Sequence, residues 1–169
     1  MSLAYRLRPA LDSDFAAILR LNELELTATS ALDAARLARL HAQACMHQVA
    51  QASDRLLGFL LVLPAGCDYG SPNYRWFAER YNEFWYVDRI VVDPALRGSG
   101  VGAALYGQLI EQARLAGVPR LTCEFNVVPA NAASEKFHRR FGFSEVAQQW
   151  IGGGAKCVSL QELALAAGR

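Results

Sequence analysis

An apolar, strand-like run that passes through a glycine-rich turn straight into a helical pattern constrains this chain more than any other feature. The run is Phe84–Val92, the turn is Gly98–Gly102, and the helical pattern ends near Ala116. Glycines let the backbone approach a ligand closely, and the first N–H groups of a helix lack partners within it. With the helix dipole and the charge of Arg97, these donors predict a site for a phosphate, most simply a pyrophosphate. The alternative is a flexible turn that binds nothing.

The motifs around this turn narrow the kind of phosphate ligand. The sequence lacks the GxxxxGK[ST] pattern of P-loop nucleotide hydrolases. It overlaps the dinucleotide-binding fingerprint, but Ala103 stands where the last glycine of that fingerprint belongs. Glu124 lies near the position of a ribose-binding carboxylate, so an oxidoreductase with a nucleotide cofactor remains an alternative.

The remaining pattern predicts one mixed α/β domain over residues 1–169. Hydrophobic periodicity gives the element order β α α β β β α β α β β. The least regular segment, Pro64–Asn82, is predicted to be a long functional connection that is rich in aromatic rings. The step from Trp85 to Phe125 requires a right-handed crossover and a parallel strand pair inside a mixed sheet. Neither a repeat nor a linker interrupts the pattern, which favours a single domain.

Composition excludes several classes of protein. A hydrophobic fraction of 53% with 20% charged residues is incompatible with intrinsic disorder. The net charge is +1 without a basic stripe, which argues against nucleic acid as the main partner. No apolar run approaches the roughly 18 residues of a membrane span, and no apolar signal core follows Arg6 and Arg8. We therefore expect neither membrane association nor secretion.

The cysteines carry no sign of a metal or disulfide framework. There are four, without a CxxC pair or a histidine at metal-ligand spacing: Cys45, Cys67, Cys123 and Cys157. We expect reduced thiols in a cytoplasmic protein, with no metal site. A catalytic thiol is the lesser alternative, because no base lies near any of them in the sequence.

The glycine turn and a second, later motif together resemble the GNAT superfamily of acetyl-CoA-dependent acetyltransferases. The first is Val92-x-Pro94-x-x-Arg97-Gly98-x-Gly100-x-Gly102-Ala103, which is similar to motif A of that superfamily. The second is Asn131-x-x-Ser134-x-x-Phe137-His138-x-x-Phe141-Gly142-Phe143. Three further stretches resemble a bacterial branch known only as predicted acetyltransferases: Tyr69–Phe77, Tyr86–Val92 and Thr122–Asn126.

The resemblance covers nearly the whole chain and implies a fold class. That class is mixed α/β, with a central, mostly antiparallel sheet that contains a splayed parallel pair and is flanked by four helices. It also implies acetyl-CoA as cosubstrate. The acetyl group would pass to a primary amine of an acceptor by direct attack in a ternary complex.

The cofactor-binding residues that the resemblance implies fall into three groups. Ile90, Val91 and Val92 would offer main-chain groups to the pantetheine arm. The pyrophosphate would be wrapped by Arg97, Gly98, Ser99, Gly100, Val101, Gly102 and Ala103. Asn131 would hydrogen-bond the cofactor, while Ser134 and Phe137 would pack along the arm.

The catalytic residues are less sharply indicated. His138 stands where the family commonly has a Tyr that protonates the leaving thiolate, so it either supplies that proton or only packs. Asp88 and Glu124 are the candidate bases for the acceptor ammonium, against the alternative of a structural pair with Arg89 or another Arg. Asn126 would orient the acetyl group or acceptor, or cap the following turn.

The acceptor side and the competing functions remain open at this point. The aromatic segment from Tyr69 to Trp85 would recognise a small polar or amphipathic amine, or its rings cover the core or a homodimer contact. A non-catalytic module that binds or senses acyl-CoA on the same fold is the second functional reading, favoured by the missing Tyr.

Overall fold

The computed structural model of the protein describes residues 4–166. Within that range it contains seven strands and five α-helices. The strands are β1 (Arg6–Pro9), β2 (Met46–Ala52), β3 (Arg55–Pro64), β4 (Trp85–Val92), β5 (Arg120–Val128), β6 (Ser144–Ile151) and β7 (Lys156–Ala164). The helices are α1 (Phe15–Glu23), α2 (Ala34–Gln43), α3 (Pro72–Ala78), α4 (Val101–Leu115) and α5 (Ala132–Arg140).

The strands are hydrogen-bonded in the order β1-β2-β3-β4-β5-β7-β6. The pairs β1–β2, β2–β3, β5–β7 and β6–β7 are antiparallel. The pair β4–β5 is parallel, with Trp85 opposite Leu121 and Tyr86 opposite Thr122. The predicted mixed, mostly antiparallel sheet with one parallel pair is therefore confirmed.

Within residues 4–166, α3 is the one α-helix that the sequence did not predict, and it is a fifth helix where four were expected. It lies inside the segment that was predicted to be an irregular connection. Pro72 occupies the first turn, where a missing N–H costs no intrahelical bond. The side chain of Ser71 accepts a hydrogen bond from the backbone N–H of Tyr74 and caps the helix. The proline therefore begins a helix here instead of breaking one.

The chain divides into two compact units whose segments alternate along the sequence. Unit 1 comprises the residues up to Leu63 together with Val87–Gln112. Unit 2 comprises Pro64–Tyr86 together with the residues from Ala113 onward. The boundaries fall within β4, within α4 and before Pro64, the last residue of β3, so each of these elements contributes to both units. The single domain expected from the sequence stays a prediction.

Each unit has its own core. In unit 1, strand β3 is buried on both faces from Leu56 to Leu63, and its side chains are continuously apolar from Phe59 to Leu63. In unit 2, aromatic rings from α3 and the start of β4 pack together, with Tyr74 and Phe77 against Tyr86 at centroid distances of 5.4 and 6.1 Å. These rings thus form the core of unit 2, which was one of the two alternatives for the aromatic segment.

The four cysteines all lie in the part of the chain that the structure describes, and none of them forms a disulfide. No helix within residues 4–166 combines the length and the apolar character that a membrane span requires.

Gly58, in β3, lies very close to the backbone of the neighbouring strand β4 in unit 1. A Cβ atom at this position would lie 2.6 Å from the carbonyl oxygen of Val91 in β4. We predict that Gly58→Ala lowers the free energy of unfolding by about 1–3 kcal/mol, because neither backbone can yield without moving its strand.

Gly107 provides the matched control, since it lies inside α4 and a Cβ atom there would meet no other atom within 4 Å. Gly107→Ala should raise the free energy of unfolding by up to about 1 kcal/mol through helix propensity. Urea denaturation of both variants measures the difference, and equal stabilities would contradict the close approach of β3 and β4.

Candidate active site

The glycine turn lies in unit 1, between β4 and α4. Gly98 and Gly100 have φ angles of +80° and +89°, in the left-handed region that favours glycine. A Cβ at either position would meet no atom within 4 Å, so the space in front of the turn is open. The first intrahelical bond of α4 runs from the N–H of Ala104 to the carbonyl of Gly100, at 2.9 Å. The N–H groups before Ala104 therefore have no partner within the helix.

Arg97 precedes these glycines, and its guanidinium is already engaged in the structure. It donates a hydrogen bond of 2.5 Å to Glu25, whose carboxylate is largely buried. The role of Arg97 at the phosphate site stays a prediction. The Arg97 charge is paired, and only its remaining N–H groups are available to a phosphate while the pair persists.

Asp88 and Arg89 form a structural pair in the interior of unit 1. Their side chains are 3% and 2% exposed, and the Arg89 Nε donates to Asp88 Oδ2 at 2.7 Å. Arg89 also donates to Asn22 Oδ1 at 2.8 Å and to the carbonyl of Ser30 at 3.1 Å. Of the two roles weighed for Asp88, this geometry favours the pair with Arg89 over a base. Beyond them in β4, Val91 is buried, while Ile90 and Val92 are half-buried.

Glu124 lies in unit 2 and has a partner that the sequence analysis missed. The hydroxyl of Tyr86, on β4, lies 2.8 and 2.7 Å from the two carboxylate oxygens. Because a carboxylate only accepts, Tyr86 donates its single proton across both oxygens. The signal was available in part, since Tyr86 pairs with Thr122 and Glu124 follows two residues later on the same face of β5. The contact between Tyr86 and Glu124 becomes evident only once β4 and β5 are known to be neighbouring strands.

His138 lies in a closed aromatic environment on α5. It is 3% exposed, stacks on Phe125 and meets Phe137 and Phe143 edge-on. Its Nδ1 lies 2.8 Å from the carbonyl of Ser134, so Nδ1 carries a proton and donates it there. Burial lowers the pKa of His138 below its ordinary value. The imidazole is therefore mainly neutral at pH 7.

The remaining predicted residues of unit 2 follow α5 and the end of β5. The side chain of Asn131 caps α5 by accepting a hydrogen bond from the N–H of Ser134 at 3.1 Å. Phe137 is half-buried, with its ring against Phe141. The carbonyl of Asn126 accepts a bond from the N–H of Asn131, which closes the connection between β5 and α5.

Two of the predicted catalytic residues, Glu124 of β5 and His138 of α5, lie on opposite sides of strand β5. Side chains alternate along a strand, so Glu124 and Phe125 point to opposite faces. Glu124 bonds Tyr86 on one face, whereas Phe125 stacks against His138 on the other. The structure therefore does not bring His138 and Glu124 together into one acid–base pair.

The sequence model of the acetyltransferase (GNAT) family matches residues 11–143, which is well over half of the chain. The chain belongs to the GNAT acetyltransferase family. Both motifs of the sequence analysis fall inside the matched region, so the resemblance on which they were assigned is confirmed. Acetyl transfer is the activity of this family.

Solved structures of GNAT proteins share the fold over nearly the full chain. The ribosomal-protein-S18-alanine N-acetyltransferase of Escherichia coli has a TM-score of 0.75 at 16% identity, over 98% of this chain and 97% of its own. Ard1 from Thermoplasma volcanium has a TM-score of 0.79 at 16% identity, over 96% and 98%. YncA from Salmonella typhimurium, with its cofactor acetyl-CoA, has a TM-score of 0.72 at 23% identity, over 98% and 96%. No curated protein matches the sequence.

Residues 4–166 contain no group of three or more His, Cys, Asp or Glu side chains arranged to hold a metal ion.

His138→Phe tests whether the imidazole has a chemical or a packing role. A phenyl ring fits among the three phenylalanines, so we expect turnover within about threefold of the wild type, whereas loss of a proton donor costs about 10²–10⁴-fold. Steady-state release of free CoA with an amine acceptor measures this. A loss of hundredfold or more would restore His138 as the acid.

The same variant carries a stability prediction whose sign follows from the lowered pKa. The folded state binds fewer protons than the unfolded state, so the contribution of His138 is complete above pH 6.5 and is lost as the pH falls below it. The His138→Phe variant should not show the part of the decrease in the free energy of unfolding at low pH that is due to His138. Urea denaturation at pH 7.5 and pH 5.5 measures it, and an unchanged pH dependence would contradict the burial of a neutral imidazole.

Proposed function

We propose that this protein is an N-acetyltransferase that moves the acetyl group of acetyl-CoA to a primary amine of an acceptor in a ternary complex. The observation that carries the proposal is the bare N-terminus of α4 behind an open glycine turn, inside the region matched by the family model. Screening a panel of amines, with release of free CoA as the readout, tests it. Binding of acetyl-CoA without thiol release from any amine would leave only the non-catalytic alternative.

The residues of the turn fit the anionic part of the cofactor. Gly98 and Gly100 leave open the space that side chains would fill, and the donors of the first turn of α4 are suited to an anion. We assign the pyrophosphate to the turn Arg97–Ala103 and the pantetheine arm to the backbone of Ile90–Val92. When bound, acetyl-CoA supplies an activated acetyl thioester.

The α5 residues are assigned supporting contacts with the cofactor. Asn131 uses its Oδ1 to cap the helix, which leaves its Nδ2 group as a donor for the cofactor. Ser134 and Phe137 are assigned to packing along the arm, as the family resemblance implies. Their loss should weaken acetyl-CoA less than a change in the glycine turn, because these contacts carry no charge-assisted hydrogen bonds.

We propose Glu124 as the group that takes the proton from the acceptor ammonium, directly or through a water. Tyr86 holds both carboxylate oxygens, so the carboxylate has a fixed orientation at the moment of proton transfer. Asp88 is the weaker candidate, since its Oδ2 already accepts from Arg89. Asn126 shares the alternation of Glu124 along β5 and is proposed to orient the acetyl group or the acceptor.

A non-catalytic acyl-CoA-binding protein is the second candidate function. The observation that favours it is the neutral, buried His138 at the position where the family commonly has a proton-donating Tyr. The cytoplasmic location expected from the sequence remains a prediction under either function, and the homodimer contact remains one alternative for the aromatic segment.

Gly100→Glu tests the anion site. The new carboxylate would enter the open space in front of α4 and repel the pyrophosphate, so we expect acetyl-CoA binding to fall below detection by calorimetry.

Gly153→Glu is the matched control, because Gly153 also has a positive φ (+67°) and open space, in the turn between β6 and β7. Both variants carry the same kind of backbone strain and the same added charge, so only the location differs. Equal affinities of the two variants for acetyl-CoA would show that the turn is not the anion site.

Glu124→Gln and Tyr86→Phe test the base and its positioning. Glu124→Gln should lower kcat/KM by about 10²–10⁴-fold with little effect on acetyl-CoA affinity. Tyr86→Phe removes a donor that stabilises the charged form of Glu124 over its protonated form. Because the base acts deprotonated, the acidic limb of the kcat/KM profile should move to higher pH.

Tyr74→Phe is the control for the second variant. Tyr74 is buried in the same ring cluster, but its hydroxyl bonds the carbonyl of Pro64 and the N–H of Cys67 instead of a carboxylate. It should lower the stability and leave the acidic limb in place. If Tyr86→Phe also leaves that limb unmoved, Tyr86 has only a structural role.

A further inference from the structure

Strand β7 buries polar side chains on a face where a hydrophobic core is expected. Ser159 and Gln161 are 1% and 5% exposed and lie on the face of β7 toward α5. In the ladder, Ser159 pairs with Phe125 of β5 and Gln161 pairs with Cys123. Burying polar groups is unfavourable unless they are bonded, and such departures from core composition concentrate at functional sites.

A bulge in β6 adds two more polar side chains to this face. The register between β6 and β7 shifts between Glu145 and Ala147, so Val146 is the extra residue. Without the bulge, Glu145 and Gln148 would point to opposite faces, because they are three residues apart. With it, both lie on the face of Ser159, and the Gln148 amide donates to the Glu145 carboxylate at 3.2 and 3.3 Å.

The directions of the hydrogen bonds in this group follow from donor and acceptor chemistry. A carboxylate only accepts, so the single proton of Ser159 is donated to Glu145. The Ser159 oxygen must then accept from Gln161, whose Nε2 lies 2.6 Å away. This fixes the Gln161 amide with Nε2 toward Ser159 and Oε1 turned away. Among the described residues, Oε1 of this buried side chain accepts no hydrogen bond.

These groups line a cavity of about 520 Å³ between α5 and the strands β5, β7 and β6. Phe125 and Phe143 give it an apolar wall. Among the described residues, three charged side chains line the cavity. Two of them, Glu135 and Arg139, form an ion pair with an N–O distance of 2.6 Å. The unbalanced charge is therefore the negative charge of Glu145, beside the acceptor Oε1 of Gln161.

We propose that this cavity binds an organic cation with N–H donors, of the primary ammonium class with an apolar body. The ammonium would donate to Glu145 and to Gln161 Oε1, and its carbon chain would lie against Phe125 and Phe143. The acceptors available to a ligand are the Glu145 carboxylate and Gln161 Oε1, and the protons of Ser159 and Gln148 are directed toward Glu145. An anion would meet a net negative charge, and a neutral ligand would leave the charge of Glu145 unbalanced. Binding of such a cation does not depend on acetyl transfer.

Titration of the full chain with n-butylammonium, followed by ¹⁵N–¹H NMR at low ionic strength without acetyl-CoA, tests the proposal. Two comparison probes separate its parts: 1-butanol lacks the charge, and tetramethylammonium lacks the N–H donors. We expect n-butylammonium to bind about tenfold or more tightly than either, as one charge-assisted hydrogen bond provides. The shifted amide resonances should be those of β6 and β7.

Variants locate the site. Glu145→Gln and Gln161→Met keep the side-chain size and remove one acceptor each, so both should weaken n-butylammonium by about tenfold. Glu162→Gln is the matched control, since Glu162 is next to Gln161 in β7 but points to the other face, where it accepts from Tyr81. If n-butylammonium binds no more tightly than 1-butanol, or if Glu145→Gln and Gln161→Met weaken it no more than Glu162→Gln, the cavity holds only water and the proposal is wrong.

Discussion

The guanidinium of Arg89 is buried in the middle of β4, and the arrangement of unit 1 satisfies its N–H groups. Asp88 neutralises its charge, and the remaining donors reach Asn22 and Ser30. A hydrogen bond from a charged donor contributes about 1.5–3 kcal/mol, so the bonds from Arg89 to Asn22 and Ser30 fix α1 and the segment after it against β4. The end of the strand is fixed as well, because the N–H of Asp93 donates to the carbonyl of Leu57 at 2.8 Å. The glycine turn therefore starts from a rigid base, and its own freedom is confined to the open side.

Two carboxylates of unit 2, those of Glu124 and Glu145, are each held by uncharged hydrogen-bond donors. Tyr86 donates to Glu124, and Ser159 and Gln148 donate to Glu145. In each case uncharged donors orient the negative charge of the carboxylate. Such a group can still attract a cation or take a proton. The ion pairs of unit 1 differ, since in them Arg89 and Arg97 neutralise their acidic partners.

His138 stands where the family commonly has a Tyr, and this difference affects which group protonates the leaving thiolate. A neutral imidazole whose Nδ1 proton is given to a backbone carbonyl has no acidic proton to donate at pH 7. Glu124, the proposed base on the opposite face of β5, does not replace it. The thiolate leaving acetyl-CoA would then take its proton from water, which is a slower donor than a positioned acid. The proposed enzyme would depend more on its base and on its cofactor site than on an acid.

The sequence by itself determined the features that rest on local geometry: the glycine turn, the Asn131 cap, the buried strand β3 and the family motifs. Each is a short run of chain whose conformation follows from its own residues. Even there α3 was missed, because a proline that starts a helix and one that ends it look alike without the Ser71 cap.

Only the tertiary structure decided the partners of the charged and polar groups. Tyr86 and Glu124 are 38 residues apart, and Arg97 and Glu25 are 72 apart, so their pairing depends on which strands and helices become neighbours. The burial of His138 was decided in the same way, by the three phenylalanines that enclose it, and a residue's pKa follows its surroundings in space instead of its neighbours in the sequence.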